Sequence, residues 1–151
     1  MTDLKRILLV EDDPHDVELT FACLAEYNLA DEVAVAKDGE EALDYLYRRG
    51  KFAGIANRNP SVVLLDLKLP KVGGLEVLRQ VKTDETLKMV PVVILTSSQE
   101  DRDMVEGYRL GTNAYVVKPV DFNKFVAAIK CIVTFWAVVN EPPPSSIHRR
   151  N

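Results

Sequence analysis

The stretch Val62 to Pro70 reads VVLLDLKLP, a run of four apolar residues of the kind that fills a parallel sheet, followed by the carboxylate of Asp66. An unpaired carboxylate withdrawn from water either carries a penalty of several kcal/mol or takes up a proton, so Asp66 needs partners from elsewhere in the chain. A second apolar run, RILLV, leads directly into Glu11, Asp12 and Asp13. With Asp13 used as a helix cap, Glu11 and Asp12 remain to face Asp66, and three such charges in one cleft require a cation. Oxygen-only ligands with room for water suit Mg²⁺, which takes one or two carboxylates together with phosphate oxygens, and the main-chain carbonyl of Lys68 is a further candidate ligand. Two other apolar runs end in groups of complementary kind: PVVILT closes on the hydroxyl of Thr96 and AYVVKP on the ammonium of Lys118. A cation site, an ammonium and a hydroxyl around one carboxylate describe a place for a phosphoryl group bonded to, or passing through, Asp66.

The elements that would bring these groups together alternate regularly. Strands are expected at Arg6 to Val10, Glu32 to Ala36, Val62 to Leu65, Val92 to Thr96 and Ala114 to Val117. Amphipathic stretches between them carry helix-start signals: Asp13 before Pro14, Asp38 three residues before Glu41, and Ser98 three before Asp101. Gly111 stops the fourth helix, and the fifth begins near Asp121 and runs to about Val139. Successive βα units imply right-handed crossovers and helices on both faces of the sheet. The expected fold is therefore α/β: a flavodoxin-like, doubly wound, five-stranded parallel sheet in order 2-1-3-4-5 with five helices. Sites in such sheets form beyond the carboxyl ends of the strands where the winding reverses, here between strands 1 and 3. Residues 1–140 are expected to form one domain and 141–151 a disordered tail.

Composition narrows the function classes. The chain has 151 residues, 47% hydrophobic and 28% charged, with a formal net charge of −4; that balance argues against a nucleic-acid backbone as a direct partner. No apolar run is expected to approach the ~20 residues of a membrane span, and the N-terminus turns acidic too soon for a secretory signal, so a cytoplasmic location is expected. Cys23 and Cys131 form neither a CxxC pair nor a metal-ligand spacing and read as reduced side chains, with no sign of a chromophore site. His15 and His148 read as exposed bystanders.

VEDD after strand 1, LLDLKLP around Asp66, LTSS at strand 4 and YVVKP at strand 5 resemble the receiver domain of bacterial two-component response regulators, in order and spacing, over Lys5 to Val139. The resemblance implies that Asp66 accepts a phosphoryl group from a histidine kinase's phosphohistidine. It also implies Mg²⁺ on Asp12, Asp66 and the Lys68 carbonyl, Glu11 acting mainly through water, and Thr96 and Lys118 on the phosphoryl group. Tyr115 would be a rotamer switch that turns inward as Thr96 is drawn toward the phosphoryl group, altering the surface of helix 4, strand 5 and helix 5. A cis Lys118–Pro119 peptide is implied as well. Such a protein is a phosphoacceptor switch that catalyses only its own phosphorylation and dephosphorylation. Lys68 departs from the smaller side chains many receivers carry two residues past the acceptor, and it is expected to alter self-dephosphorylation; an unchanged rate in Lys68→Ala would remove that idea.

No output domain is expected after helix 5, whose stretch FNKFVAAIKCIVTFWAVV is apolar nearly all round in its second half. Phe122, Phe125, Val126, Ile129, Val133 and Trp136 form the core stripe. Cys131, Ile132, Phe135, Val138 and Val139 lie off it, predicting a homodimer interface at Cys131, Phe135 and Trp136. The long connection YLYRRGKFAGIANRNPSVV, the LKLPK turn and the TFW segment resemble the small regulators paired with phytochromes, which implies a light-sensing histidine kinase as partner. The main rival is a Mg²⁺-dependent aspartyl-phosphate phosphatase of haloacid-dehalogenase type, which needs a second Asp two positions after the nucleophile as general acid; Lys68 stands there. A flavin or nucleotide binder would want a glycine- or hydroxyl-rich loop where VEDDPHD is anionic.

Overall fold

The computed structural model of the chain describes residues 6–54 and 59–146. Five parallel strands, β1 (Ile7–Val10), β2 (Val33–Ala36), β3 (Val62–Leu65), β4 (Val92–Thr96) and β5 (Ala114–Val117), form one sheet in the order β2-β1-β3-β4-β5. Every residue of β1, β3 and β4 is buried, as strands covered on both faces must be. Leu8 and Val10 point into a core shared with α2 (Gly39–Tyr47) and α3 (Gly74–Thr83), while Ile7 and Leu9 point into one shared with α1 (Pro14–Ala25) and α5 (Phe122–Val133). The helix α4 (Asp101–Leu110) joins the first of these layers through Leu110. Truncating such a fully buried side chain removes about 2–5 kcal/mol in proteins of this kind.

Helix starts follow the caps legible in the sequence. Asp13 accepts from the His15 N–H at 2.9 Å with Pro14 at the first helical position, Asp38 accepts from Glu41 N–H at 2.8 Å, and Asp121 from Lys124 N–H at 3.0 Å. Gly111 ends α4 with φ 105°. Ser98 departs from expectation. Glu100 occupies the cap position of α4, and the Ser98 hydroxyl instead donates to Asp103 inside the first turn.

Four further expectations are corrected. The peptide bonds among the described residues are all trans, Lys118–Pro119 included; the trans form is intrinsically the favoured one for X–Pro, and Lys118 reaches the cleft from it. Residues 141–146 fold back rather than dangle: Asn59 N–H donates to Ser145 O at 3.2 Å, Asn59 and Ser146 form a parallel bridge, and Ser146 is 1% exposed. Three consecutive prolines, Pro142 to Pro144, lower the entropy lost in ordering that turn; residues 147–151, with His148, lie outside the described residues. Helix α5 continues as a π-helical stretch, Thr134–Val139, and within the pair Ile132 is buried while Phe122 is exposed, the reverse of the expected stripe. The whole segment Phe122–Val139 is long and apolar enough by length and composition to cross a membrane, with a mean hydropathy of 1.6 over 18 residues, contrary to the expectation that no run comes near. In this fold its Phe125, Ile129, Ile132, Val133 and Ala137 are buried against the sheet. In the long connection after α2, the 3-10 turn Gly50–Phe52 places Phe52 edge-on to Tyr45 at 5.1 Å.

Two glycines clamp the segment that follows β3. A Cβ on Gly74 would stand 2.2 Å from the Asp66 carbonyl oxygen, and one on Gly39 would stand 1.9 Å from that of Val72. Gly74 N–H also donates to Leu67 O at 2.9 Å, so the first turn of α3 lies directly on the backbone that carries Asp66. Gly74→Ala is expected to destabilise the fold by about 1–3 kcal/mol, because the obstacle is backbone that cannot rotate away. Gly73→Ala, whose Cβ would meet nothing nearer than 3.9 Å, should cost less, about 0.5 kcal/mol for a poorer residue at the α3 cap position; urea denaturation of both variants checks the contrast.

Candidate functional site

The register of the sheet decides which acids meet. β1 and β3 run with Val10 opposite Leu65, and the pairing continues through Asp66 N–H to Val10 O at 3.1 Å, so Glu11 and Asp66 emerge side by side from the carboxyl ends of adjacent central strands. Glu11 and Asp66 are buried, at 4% and 7% exposure, whereas Asp12 faces solvent. One carboxylate oxygen from each of these three residues lies within 4.8 Å of the other two. The N–H of Lys68 donates to Asp66 Oδ1 at 3.3 Å, which brings its backbone to the cleft, while its side chain is exposed.

Across the cleft, the β4–β5 ladder ends with Thr96 opposite Val117, and Lys118 N–H donates to Thr96 O at 2.7 Å. The Lys118 ammonium then reaches Asp66 Oδ2 at 3.2 Å, Asp16 Oδ2 at 2.9 Å and Glu11 Oε1 more closely still. Its three N–H donors thus match three carboxylates. Burial pulls the Lys118 pKa down, but the hydrogen bonds to Glu11 and Asp16 and the charge of Asp66 outweigh it and hold the ammonium above the ordinary lysine range. Burial pushes Glu11 up to about 7, against the opposing pull of Lys118 and with the repulsion of Asp66 added. One ammonium does not fully compensate this many acids, and the shortfall is what a divalent cation beside Glu11, Asp12 and Asp66 would supply.

Thr96 is fully buried, and its Oγ1 accepts from the Ser98 N–H at 3.3 Å rather than bonding a carboxylate. The Tyr115 hydroxyl donates to Ser98 O at 3.1 Å. Its ring is half-buried and packs on the core, with one edge 3.4 Å from where a Cβ on Gly107 would stand. Cys131 is exposed and Phe135 is 49% exposed. Trp136, stacked edge-on to Phe135 at 5.0 Å, is only half free because it packs on its own sheet. Asp16 is the site residue that the sequence did not single out. Its one signal is an acid in the first turn of α1, a position commonly filled by acids that complement the helix dipole.

The profile of the response regulator receiver domain matches residues 7–130. Response regulator Rcp1 of Synechocystis sp. is 35% identical over 132 residues, covering 87% of this chain and 88% of that one. Its Mn²⁺-bound crystal structure superposes with a TM-score of 0.86 at 34% identity, covering 92% and 99%. The phosphorylated cyanobacterial phytochrome response regulator RcpA gives a TM-score of 0.86 at 38% identity, covering 93% of this chain and 99% of that one. The bacteriophytochrome response regulator RtBRR is 60% identical with a TM-score of 0.72, covering 95% and 86%.

Proposed function

Since the chain belongs to the response regulator receiver family, we propose that it works in the cytoplasm, where Asp66 takes a phosphoryl group from the phosphohistidine of a sensor histidine kinase, and that this kinase is a phytochrome. The observation that carries the reading is the meeting of Glu11, Asp66 and Lys118 from three different strand ends in one buried cleft. A carboxylate oxygen of Asp66 attacks phosphorus as the P–N bond breaks, and the departing imidazole nitrogen keeps the electron pair and takes up a proton. Lys118 exchanges a carboxylate for a phosphoryl oxygen, holding charge where it develops. Asp12, Asp66 and the Lys68 carbonyl would hold Mg²⁺, with Glu11 acting through water, and the ion when bound neutralises phosphoryl charge. The same groups serve hydrolysis of the acyl phosphate, so the catalysis is confined to the switch itself. A haloacid-dehalogenase-type phosphatase is disfavoured, because the position of its general acid carries the exposed ammonium side chain of Lys68.

The switch would travel through hydrogen bonds already in place. If the Thr96 hydroxyl turns to the phosphoryl group, the Ser98 N–H loses its acceptor, and Ser98 carries both the Tyr115 hydroxyl and the Asp103 contact to α4. The readout is then the α4–β5–α5 surface, which exposes Val105, Tyr108 and Phe122. A second copy of the chain would cover Cys131, Phe135, Val138 and Val139 at the end of α5, and sedimentation at increasing concentration tests that dimer. Transfer of phosphate from an autophosphorylated phytochrome kinase, timed against transfer from a non-photosensory histidine kinase, tests the partner; equal rates would count against it.

Glu11 also sets a pH dependence. Its carboxyl is raised from 4.5 to about 7, so below that pH the cation must displace a proton. Mg²⁺ affinity is expected to rise by up to about tenfold per pH unit below the Glu11 pKa and to level off above it. Glu11→Gln should flatten the profile, as read by calorimetric titration.

A further inference from the structure

We infer that Asp16 is a positioning residue for the reaction at Asp66, acting through Lys118, an inference that rests on the phosphoacceptor reading above. Asp16 stands at the third position of α1, where an acid after an Asp cap ordinarily reaches back to the N–H of the cap residue. Here that N–H is already taken, since Asp13 N–H donates to Glu11 Oε2 at 3.2 Å. Asp16 is thereby released from capping and turns across the cleft to Lys118 Nζ at 2.9 Å, with its side chain 22% exposed.

The three partners of the ammonium differ in what the reaction does to them. Asp66 loses its carboxylate charge on becoming an acyl phosphate, and Glu11 is claimed by the cation site. Asp16 belongs to neither event, because it is outside the group of acids close enough to share a metal. It is the one anchor that stays constant while Lys118 trades a carboxylate oxygen for a phosphoryl oxygen. A lysine reaches its target through a flexible four-carbon stem, and a fixed acceptor on α1 confines that stem to the cleft before the phosphoryl group arrives. Misplacing a catalytic group by about 1 Å is enough to slow a reaction up to about 100-fold.

The experiment compares wild type, Asp16→Ala, Asp16→Asn and Lys118→Ala in phosphorylation by acetyl phosphate with Mg²⁺, with Mg²⁺ affinity measured alongside. Asp16→Ala is expected to phosphorylate about tenfold more slowly with Mg²⁺ affinity unchanged. Asp16→Asn, which keeps an acceptor oxygen in place, should recover most of the rate. In ¹⁵N-resolved spectra the Lys118 ammonium protons should exchange with water faster in Asp16→Ala than in wild type or Asp16→Asn. A wild-type rate in Asp16→Ala, a parallel loss of Mg²⁺ affinity, or no recovery in Asp16→Asn would each overturn the inference. Failure of the wild type to phosphorylate would instead strike the phosphoacceptor reading beneath it.

Discussion

Asp66→Asn is expected to leave the fold intact and to abolish formation of the acyl phosphate. The substitution keeps the shape of the side chain and its hydrogen bond from Lys68 N–H but replaces the carboxylate, the only form able to attack phosphorus, with an amide. No rescue by a neighbour is expected. Glu11 is held by Lys118 and the Asp13 N–H, Asp13 by its capping bond, and Asp12 lies out in solvent. Intact-protein mass spectrometry after acetyl phosphate and Mg²⁺ should show one phosphoryl group on wild type and none on the variant. A group retained in Asp66→Asn would move the acceptor elsewhere and sink the assignment. The same change removes one of the two charges that bear on Glu11, so the Glu11 pKa should fall part of the way toward 4.5, with burial, the larger cause, keeping it raised.

Lys118→Met should give the other large effect, in two measurements. The side chain is 11% exposed and serves Glu11, Asp16 and Asp66, exposed by 5%, 22% and 9%. Removing one partner of a buried ionic cluster destabilises by about 3–5 kcal/mol, because the remaining charges are left without compensation. The sign with pH follows from Glu11. Its folded-state pKa lies above its ordinary value of 4.5, so its contribution to stability is fully present below 4.5 and is lost as pH rises through the folded value near 7. Without Lys118 that value climbs further. The variant is therefore expected to be weakest at pH 8, less so at pH 6, and to regain stability with Mg²⁺, which replaces the missing positive charge. Urea denaturation in chelator and in Mg²⁺ at both pH values checks this, and a loss independent of pH and metal would refute it. Phosphorylation of the refolded, Mg²⁺-saturated variant should fall by about 10²–10³-fold, the size typical of a lost electrostatic contact to the transition state.

Much of the fold is local and could be read from the chain. Four or five consecutive β-branched and leucine residues are covered on both faces wherever they occur, and Asp13, Asp38 and Asp121 cap helices using nothing beyond their own next turn. The element order then fixes strand order and hand, which places Glu11, Asp66, Thr96 and Lys118 at one edge. Where the reading failed, a distant contact outweighed a local pattern. Ser98 has the spacing of a cap, yet its hydroxyl serves Asp103 and its carbonyl serves Tyr115. Phe122 has the spacing of the core stripe, yet at the first position of α5 it is exposed, while Ile132 is covered.

By itself, then, the sequence determined the layered sheet, the mouth where the site forms and the carboxylate that receives the phosphoryl group, because each depends on periodicity and caps within one element or on the order of elements. The tertiary structure alone decided that Lys118 is shared among three acids, that Asp16 is one of them from 102 positions away, and that the backbone of Gly74 lies on that of Asp66. Those facts depend on where side chains from separate elements end in space, to within about 1 Å. No spacing along a chain carries that information, since it arises only when the helices settle onto the sheet.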